Sequence, residues 1–332
     1  MSSWIQIAGR SATIALAVVG VVAGCSSSDS GSPSVTADEA CTQLVAALCD
    51  KIQSCAPAYM TLGYGDIAAC KTRAMIDCKS DLSAPSTAAT PSDTVACANV
   101  AKTASCAALF DNDTPAACLP KPGGLEDGKP CAADAQCKSG FCGLDTDKEL
   151  CGLCAAKPTE GAACNRGKCP AGLQCSRKST CAKVVAEGGA CDDSKPCASG
   201  TSCYMAKCVK NAAAGATCDD ALVKGPACDG FQGLACLGNK CQKITLVAAG
   251  QPCGLEFDGT AVKSFTLCEK NGWCKGLDTA AKPPVLKGTC EAAAKDGDPC
   301  VADATFLKGP GCLEPAECVA GKCTLPDAAA CK

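Results

Sequence analysis

Cys151-Gly152-Leu153-Cys154 is the one Cys-x-x-Cys in a chain that contains 35 cysteines and 0 histidines. That spacing serves thiol–disulfide exchange when a helix N-terminus on a βαβ frame lowers the thiolate pKa. No such frame is visible around residues 151–154, so the expectation is a structural bridge and not a catalytic pair. Thiolates also bind zinc and copper, usually from closely paired cysteines and often with histidine. The remaining cysteine gaps here are longer, so no metal ligand is nominated and metal sequestration stands as an alternative reading. Asp111-Asn112-Asp113, Asp192-Asp193 and Asp296-Gly297-Asp298 raise calcium. None continues into an EF-hand loop with its closing Glu, and such clusters more often build turns.

Without histidine, Ser-His-Asp and Cys-His arrangements are excluded, and the usual proton carrier near neutral pH is missing. No catalytic residue and no cofactor is nominated. Trp273, in Asn271-Gly272-Trp273-Cys274, is the weak candidate for a binding anchor, weighed against packing on its own disulfide. Tyr204 and Phe231 are weaker candidates of the same kind. No basic patch interleaved with aromatics occurs, which argues against nucleic acid as a partner.

Cysteine at this density implies an oxidising compartment and a small disulfide-rich fold. Residues 1–24 read as an export leader. Arg10 precedes a short apolar run from Ala12 to Val22, too short to span a bilayer. The leader ends Val22-Ala23-Gly24-Cys25, which resembles the lipobox of bacterial lipoproteins. The resemblance implies that Cys25 is lipidated and that the chain is anchored to the membrane by its N-terminal lipid. Ser26 in place of Asp implies the outer membrane or cell surface, with the periplasmic face as the other placement. Removing Cys25 leaves an even number of cysteines, as full pairing requires. Residues 25–35 then form a lipidated, Ser-rich tether.

Residues 36–127 read as a disulfide-pinned helical domain with eight cysteines, enough for four bridges. Thr36 with Glu39 forms a capping box, and Cys41, Leu44, Val45, Leu48, Ile52 and Cys55 share one helical stripe. Asp66 is the expected N-cap of a second helix carrying Ile67, Cys70, Ala74 and Cys78. Ser92 is the expected cap of a third, through Val95, Cys97 and Val100. From Gly128 a repeat emerges, each unit opening Gly-x-x-Cys: residues 128–160, 161–187, 188–214, 215–249, 250–296 and 297–332. The glycine is expected to supply a positive-φ turn.

The expected architecture after the helices is an array of six short β-hairpin and loop units stapled by cysteines, laid out as an elongated shaft. Cys203–Cys208, Cys236–Cys241 and Cys318–Cys323 mark tight hairpins whose two cysteines bond elsewhere. A 1–3, 2–4 pairing fits each unit, but spacing leaves connectivity open. One cysteine of the first unit and Cys331 are surplus. They pair across units, or they are free or intermolecular thiols.

The run Cys131, Cys137, Cys142, Cys151, Cys154, Cys164, Cys169, Cys175 and Cys181, with Gln136-Cys137-Lys138-Ser139-Gly140-Phe141-Cys142 and Gly172-Leu173-Gln174-Cys175, resembles the N-terminal cysteine-rich domain of the Dickkopf family. That domain has ten cysteines including an adjacent pair. Here there are nine, with Cys169 alone where the doublet would fall. The first two units are therefore Dickkopf-N-like, and no signalling role is carried over. The functional expectation is a membrane-anchored, extracytoplasmic, non-catalytic scaffold for adhesion or for binding a protein or envelope partner. A tethered inhibitor presenting the loops Gly254–Leu267 and Lys275–Thr289 is the alternative from another class.

Overall fold

The structure is a computed structural model that describes residues 35–143, 150–165, 167–219, 225–258, 261–278, 281–302, 304–306 and 308–331. The leader, Cys25 and the tether as far as residue 34 lie outside the described residues. No helix among the described residues is long and apolar enough to cross a membrane.

Five helices open the fold: α1 (Ala37–Cys55), α2 (Pro57–Gly63), α3 (Ile67–Ser83), α4 (Pro91–Ala101) and α5 (Cys106–Phe110). The Thr36 backbone N–H donates to Glu39 Oε2 at 2.9 Å, and the Glu39 N–H donates to Thr36 Oγ1 at 3.2 Å, which is the expected capping box. Leu44, Val45, Leu48 and Ile52 are buried along one side of α1, together with Cys41 and Cys49. Pro57 ends α1, because the residue before a proline is disfavoured in the α region and Ala56 adopts φ −144°. Pro57 then takes the first position of α2, a short helix that the sequence reading did not anticipate. Asp66 caps α3 as expected, accepting from the Ala69 N–H at 2.7 Å. The cap of α4 is Thr90, not Ser92: Pro91 occupies the first turn and the Thr90 hydroxyl accepts from the Asp93 N–H.

Four bridges pin these helices: Cys41–Cys78, Cys49–Cys70, Cys55–Cys106 and Cys97–Cys118. The first two join cysteines eight apart on α1 to cysteines eight apart on α3 in reversed order, which fixes the pair antiparallel. Two apolar clusters share this hub, one around Leu44, Leu48 and Cys97 and one around Val45, Ile52 and Met60.

After residue 128 the chain forms small antiparallel strand pairs. Thr201–Tyr204 pairs with Lys207–Lys210, Leu234–Leu237 with Lys240–Lys243, and Glu317–Val319 with Lys322–Thr324. Cys203 lies opposite Cys208, Cys236 opposite Cys241 and Cys318 opposite Cys323, and each bonds elsewhere, as expected. The pairing is first-to-third and second-to-fourth in the five four-cysteine segments, as in Cys164–Cys175 and Cys169–Cys181. In the five-cysteine segment Cys131 bonds Cys142 and Cys137 bonds Cys154. Its surplus member, Cys151, bonds Cys331 across 180 residues of chain.

The opening glycine has one job throughout. Gly128, Gly161, Gly188, Gly215, Gly250 and Gly297 all lie between φ +80° and +86°. Each donates its N–H, at 2.7–2.8 Å, to the carbonyl of Cys154, Cys181, Cys208, Cys241, Cys290 or Cys323 respectively. A second recurrence sits three residues earlier. Leu125, Val185, Ala212 and Ala294 each bridge in parallel to the second cysteine of the following segment, and Val247 does so to Cys268 within a longer strand. The equivalent residue before Gly161 is Pro158, which has no N–H to give.

The Thr201–Lys210 hairpin turns through Met205 (φ +49°) and Ala206 (φ +58°), whereas the Leu234–Lys243 hairpin places Gly238 and Asn239 there. A residue with a Cβ loses roughly 1–2 kcal/mol in the left-handed region. Met205→Asn with Ala206→Gly is therefore expected to raise stability by about 1 kcal/mol, read as a higher denaturant midpoint with an unchanged slope.

The segment 250–296 departs from the expectation of long presented loops. Pro252–Asp258 and Ala261–Cys268 are paired strands of a five-stranded sheet completed by Thr245–Val247, Trp273–Lys275 and Lys287–Glu291. Lys275–Thr289 likewise ends in strands and carries an Asp278–Val285 bridge. Apolar and polar residues alternate in Leu255-Glu256-Phe257 and in Phe265-Thr266-Leu267, the period of a strand. Val262, Phe265 and Leu267 pack with Leu246 on a core of Ala235, Leu237 and Ile244, which Leu62 of α2 joins.

An elongated shaft is not what forms. All six segments contact the helical hub, and the Cys151–Cys331 bridge closes them around it.

Candidate functional site

The chemistry of this molecule is concentrated in the seam between hub and ring. The first segment docks through backbone and one glutamine. The Ala88 N–H donates to the Ala135 carbonyl, and Gln136 Nε2 donates to the Pro85 carbonyl, both at 2.8 Å. Gln136 is 1% exposed, and its Oε1 accepts from the N–H groups of Ala132 and Ala133, so the amide is satisfied at both ends.

The second segment is held by Asn112, whose Nδ2 lies 2.9–3.1 Å from the carbonyls of Cys169, Pro170 and Leu173. The Asn112 carbonyl receives the Gly172 N–H at 2.7 Å. Asp111, 4% exposed, accepts the Ser199 N–H of the third segment at 2.7 Å. Phe110 packs on Phe231 of the fourth with ring centroids 4.4 Å apart and planes tilted by 36°. Thr61 and Leu62 offer carbonyls to the N–H groups of Lys270 and Asn271 in the fifth.

Arg73 on α3 locks the end of the chain. Its Nη1 and Nη2 meet the Asp296 carboxylate at 2.6 and 2.8 Å. Its Nε and Nη2 donate to the carbonyls of Glu314 and Leu313. Beside it the Tyr64 hydroxyl donates to Glu314 Oε2 at 2.9 Å. The Ala328 N–H donates to Ser80 Oγ, and a 460 Å³ cleft lies between Ala37, Asp38, Ile76 and Leu82 on one side and Pro326 and Asp327 on the other.

Burial at this seam raises several carboxylates. Glu314 is raised by desolvation, partly offset by the Tyr64 hydrogen bond, with the Glu317 and Asp77 charges adding to the rise. Asp77 is raised by burial. Asp81 is raised by burial and by the charges of Asp77 and Asp134, with Lys168 opposing. Asp111 is raised by burial against the pull of its Ser199 bond. Burial, followed by the Glu314 charge, pushes both Tyr59 and Tyr64 up as well.

A carboxylate raised in the folded state takes up its proton before the unfolded chain does. Stability should therefore increase as pH falls through the raised values, and the gain should be complete below the ordinary 3.8 of Asp and 4.5 of Glu. Glu39, Asp66, Asp192 and Glu256 are lowered by their hydrogen bonds and act in the opposite sense, but they are fully exposed and screened. The urea midpoint is expected to be higher at pH 4.5 than at pH 7. A lower midpoint would contradict this account of the seam. With 0 histidines, no imidazole titration overlays the trend.

The residues singled out from sequence fall as follows. Cys131, Cys137, Cys142, Cys151, Cys154, Cys164, Cys169, Cys175 and Cys181 are all in disulfides. The two cysteines of the Cys-x-x-Cys belong to different bridges, to Cys331 and Cys137. Trp273 is half-buried on the edge strand of the five-stranded sheet, opposite Glu291. Phe231 is a seam contact, and Tyr204 is half-buried in its hairpin. The acidic clusters are engaged in folding contacts: Asp192 accepts the Ser194 N–H, Asp193 pairs with Arg177, and Asp296 pairs with Arg73.

No docking role was legible for Gln136, which stood only within the Dickkopf-like run, for Asn112 or for Arg73. Asn112 sits inside the very Asp-Asn-Asp run taken as a turn, and nothing in its neighbours marks the partner 57 or more residues away. No protein-family model, curated protein or solved structure matches the chain.

Proposed function

We propose that this chain is an extracytoplasmic lipoprotein, anchored through lipidated Cys25 to the outer membrane or cell surface. In this reading it serves as a non-catalytic scaffold that presents a rigid, cross-linked surface to a protein or envelope partner. One observation supports it above the others: the 34 cysteines that follow Cys25 are matched by 17 intramolecular bridges. A state so fully oxidised is sustained outside the reducing cytosol, and it leaves Cys25 alone for acylation.

The six Gly-x-x-Cys segments are read as copies of one module. Support comes from the six equivalent glycine-to-cysteine hydrogen bonds and the recurring disulfide pattern. The likeness of residues 131–181 to the Dickkopf domain is read as shared module geometry alone.

Intact mass with disulfide mapping of protein extracted from membranes tests this reading. The expected species begins at Cys25, carries the acyl mass, and lacks 34 hydrogens relative to the reduced chain. An unprocessed N-terminus would refute the anchor. A folded protein with many free thiols would refute the scaffold.

A further inference from the structure

A disulfide exchanges with an outside thiol when a thiolate can reach it, and it breaks faster when the departing sulfur is stabilised as an anion. Among the described cysteines Cys106 alone is exposed, and its partner Cys55 is half-buried. Cys164–Cys175 and Cys300–Cys318 are the other bridges without a buried member. Each of those sits in a segment closed by a second bridge, Cys169–Cys181 or Cys312–Cys323. Cys55–Cys106 has no such companion beside it.

The Cys55 side suits a leaving thiolate. Lys51 stands one turn earlier on α1, where side chains four apart are neighbours, and it brings a positive charge. The Ser54 hydroxyl donates to the Lys51 carbonyl at 2.9 Å and lies 3.8 Å from Cys55 Sγ, so its proton can turn to a thiolate formed there.

The bridge also holds something. It joins the end of α1 to the start of α5, 51 residues later. Helix α5 fully buries none of its five residues and has no side-chain cap. It runs straight into Phe110, Asp111 and Asn112, on which the fourth, third and second segments dock. Cys97–Cys118, a buried bridge, secures the chain only beyond that dock.

We infer that Cys55–Cys106 is the thiol-exchange site of this molecule, cleaved by a dithiol to release the dock from the hub. The donor thiolate attacks Cys106 Sγ, and the S–S bond breaks with its electron pair passing to Cys55 Sγ, which takes a proton. The donor's second thiol then attacks its own sulfur in the mixed disulfide. Cys106 leaves as a thiol and the donor as its cyclic disulfide, so two electrons and two protons have moved to the protein. This inference does not rest on lipid anchoring or on the scaffold role.

The test treats the full oxidised chain with limiting dithiothreitol at neutral pH without denaturant. Free thiols are trapped with one alkylating label, and the rest are mapped with a second after complete reduction. Cys55 and Cys106 should carry the first label before any other pair. At that stage the amides of Gly172 and Ser199, whose acceptors lie on the dock, should exchange roughly tenfold faster. Those of Gly188 and Gly215, bonded within their own segments, should keep their protection. Ser54→Ala should slow the cleavage about threefold, through a poorer leaving group, while the bridge map stays the same. First labelling at any other pair would overturn the proposal. Cleavage of Cys55–Cys106 with Gly172 and Ser199 still protected would overturn it equally. Neither result would alter the mass and bridge map of the untreated protein.

Discussion

Replacing Cys151 and Cys331 together by serine should lower the free energy of unfolding by about 4–5 kcal/mol, the largest loss expected from any single bridge. In the chain-entropy account a cross-link stabilises by confining the unfolded state, and its effect grows with the logarithm of the loop it closes. This bridge spans 180 residues, against 11 to 51 for the others. The bridges inside the loop shorten its free contour, which is already counted in the range given. The individual segments keep their own two bridges, so the variant should retain native near-ultraviolet dichroism while its hydrodynamic radius grows and its unfolding loses cooperativity. A denaturant midpoint within experimental error of the parent would show that the seam alone keeps the ring shut.

Arg73→Ala should cost about 2–3 kcal/mol. The guanidinium has a side-chain exposure of 16% and makes two charge-assisted bonds to Asp296 besides those to the Glu314 and Leu313 carbonyls. Removing one partner of a buried pair costs roughly 3–5 kcal/mol. The expectation is set lower because the Asp296 side chain is 36% exposed and partly screened by solvent. Arg73→Lys should recover little, since an ammonium cannot reproduce the planar fork that reaches a carboxylate and two carbonyls together. Hydrogen exchange would locate the damage: amides of the 297–331 segment should open in the alanine variant, while those around Gly188 and Gly215 stay protected. Uniform opening of the whole chain would contradict a local lock.

The hub was largely legible from residue patterns. Thr36 and Glu39 announce the start of α1, and its buried stripe follows from spacing alone. The equal eight-residue intervals Cys41/Cys49 and Cys70/Cys78 are compatible with an antiparallel pairing of α1 with α3, but spacing alone does not select it over other pairings of eight cysteines. Helix α2 has seven residues, too few to show a period.

In the later segments the glycines and cysteines declare themselves because a positive φ and a disulfide each demand one residue type. The arrangement of those segments was not legible. It depends on carbonyl groups, which every residue carries, and on single polar side chains such as Asn112 and Arg73 that look like ordinary turn or surface residues. The expected shaft followed from the small apolar content of each segment taken alone. The docked ring forms because the hub supplies the missing partner surface, including Leu62 and Phe110.

The bond between Cys151 and Cys331 turns more than half of the polypeptide into a covalent circle. One hydrolysed peptide link anywhere on that arc releases nothing, because both new ends stay attached through the rest of the loop. To shed a fragment an attacking enzyme must cut twice, and the second cut must fall outside the reach of any local bridge. On a non-reducing gel the nicked molecule would run as a single species, and only a reductant would expose the cut.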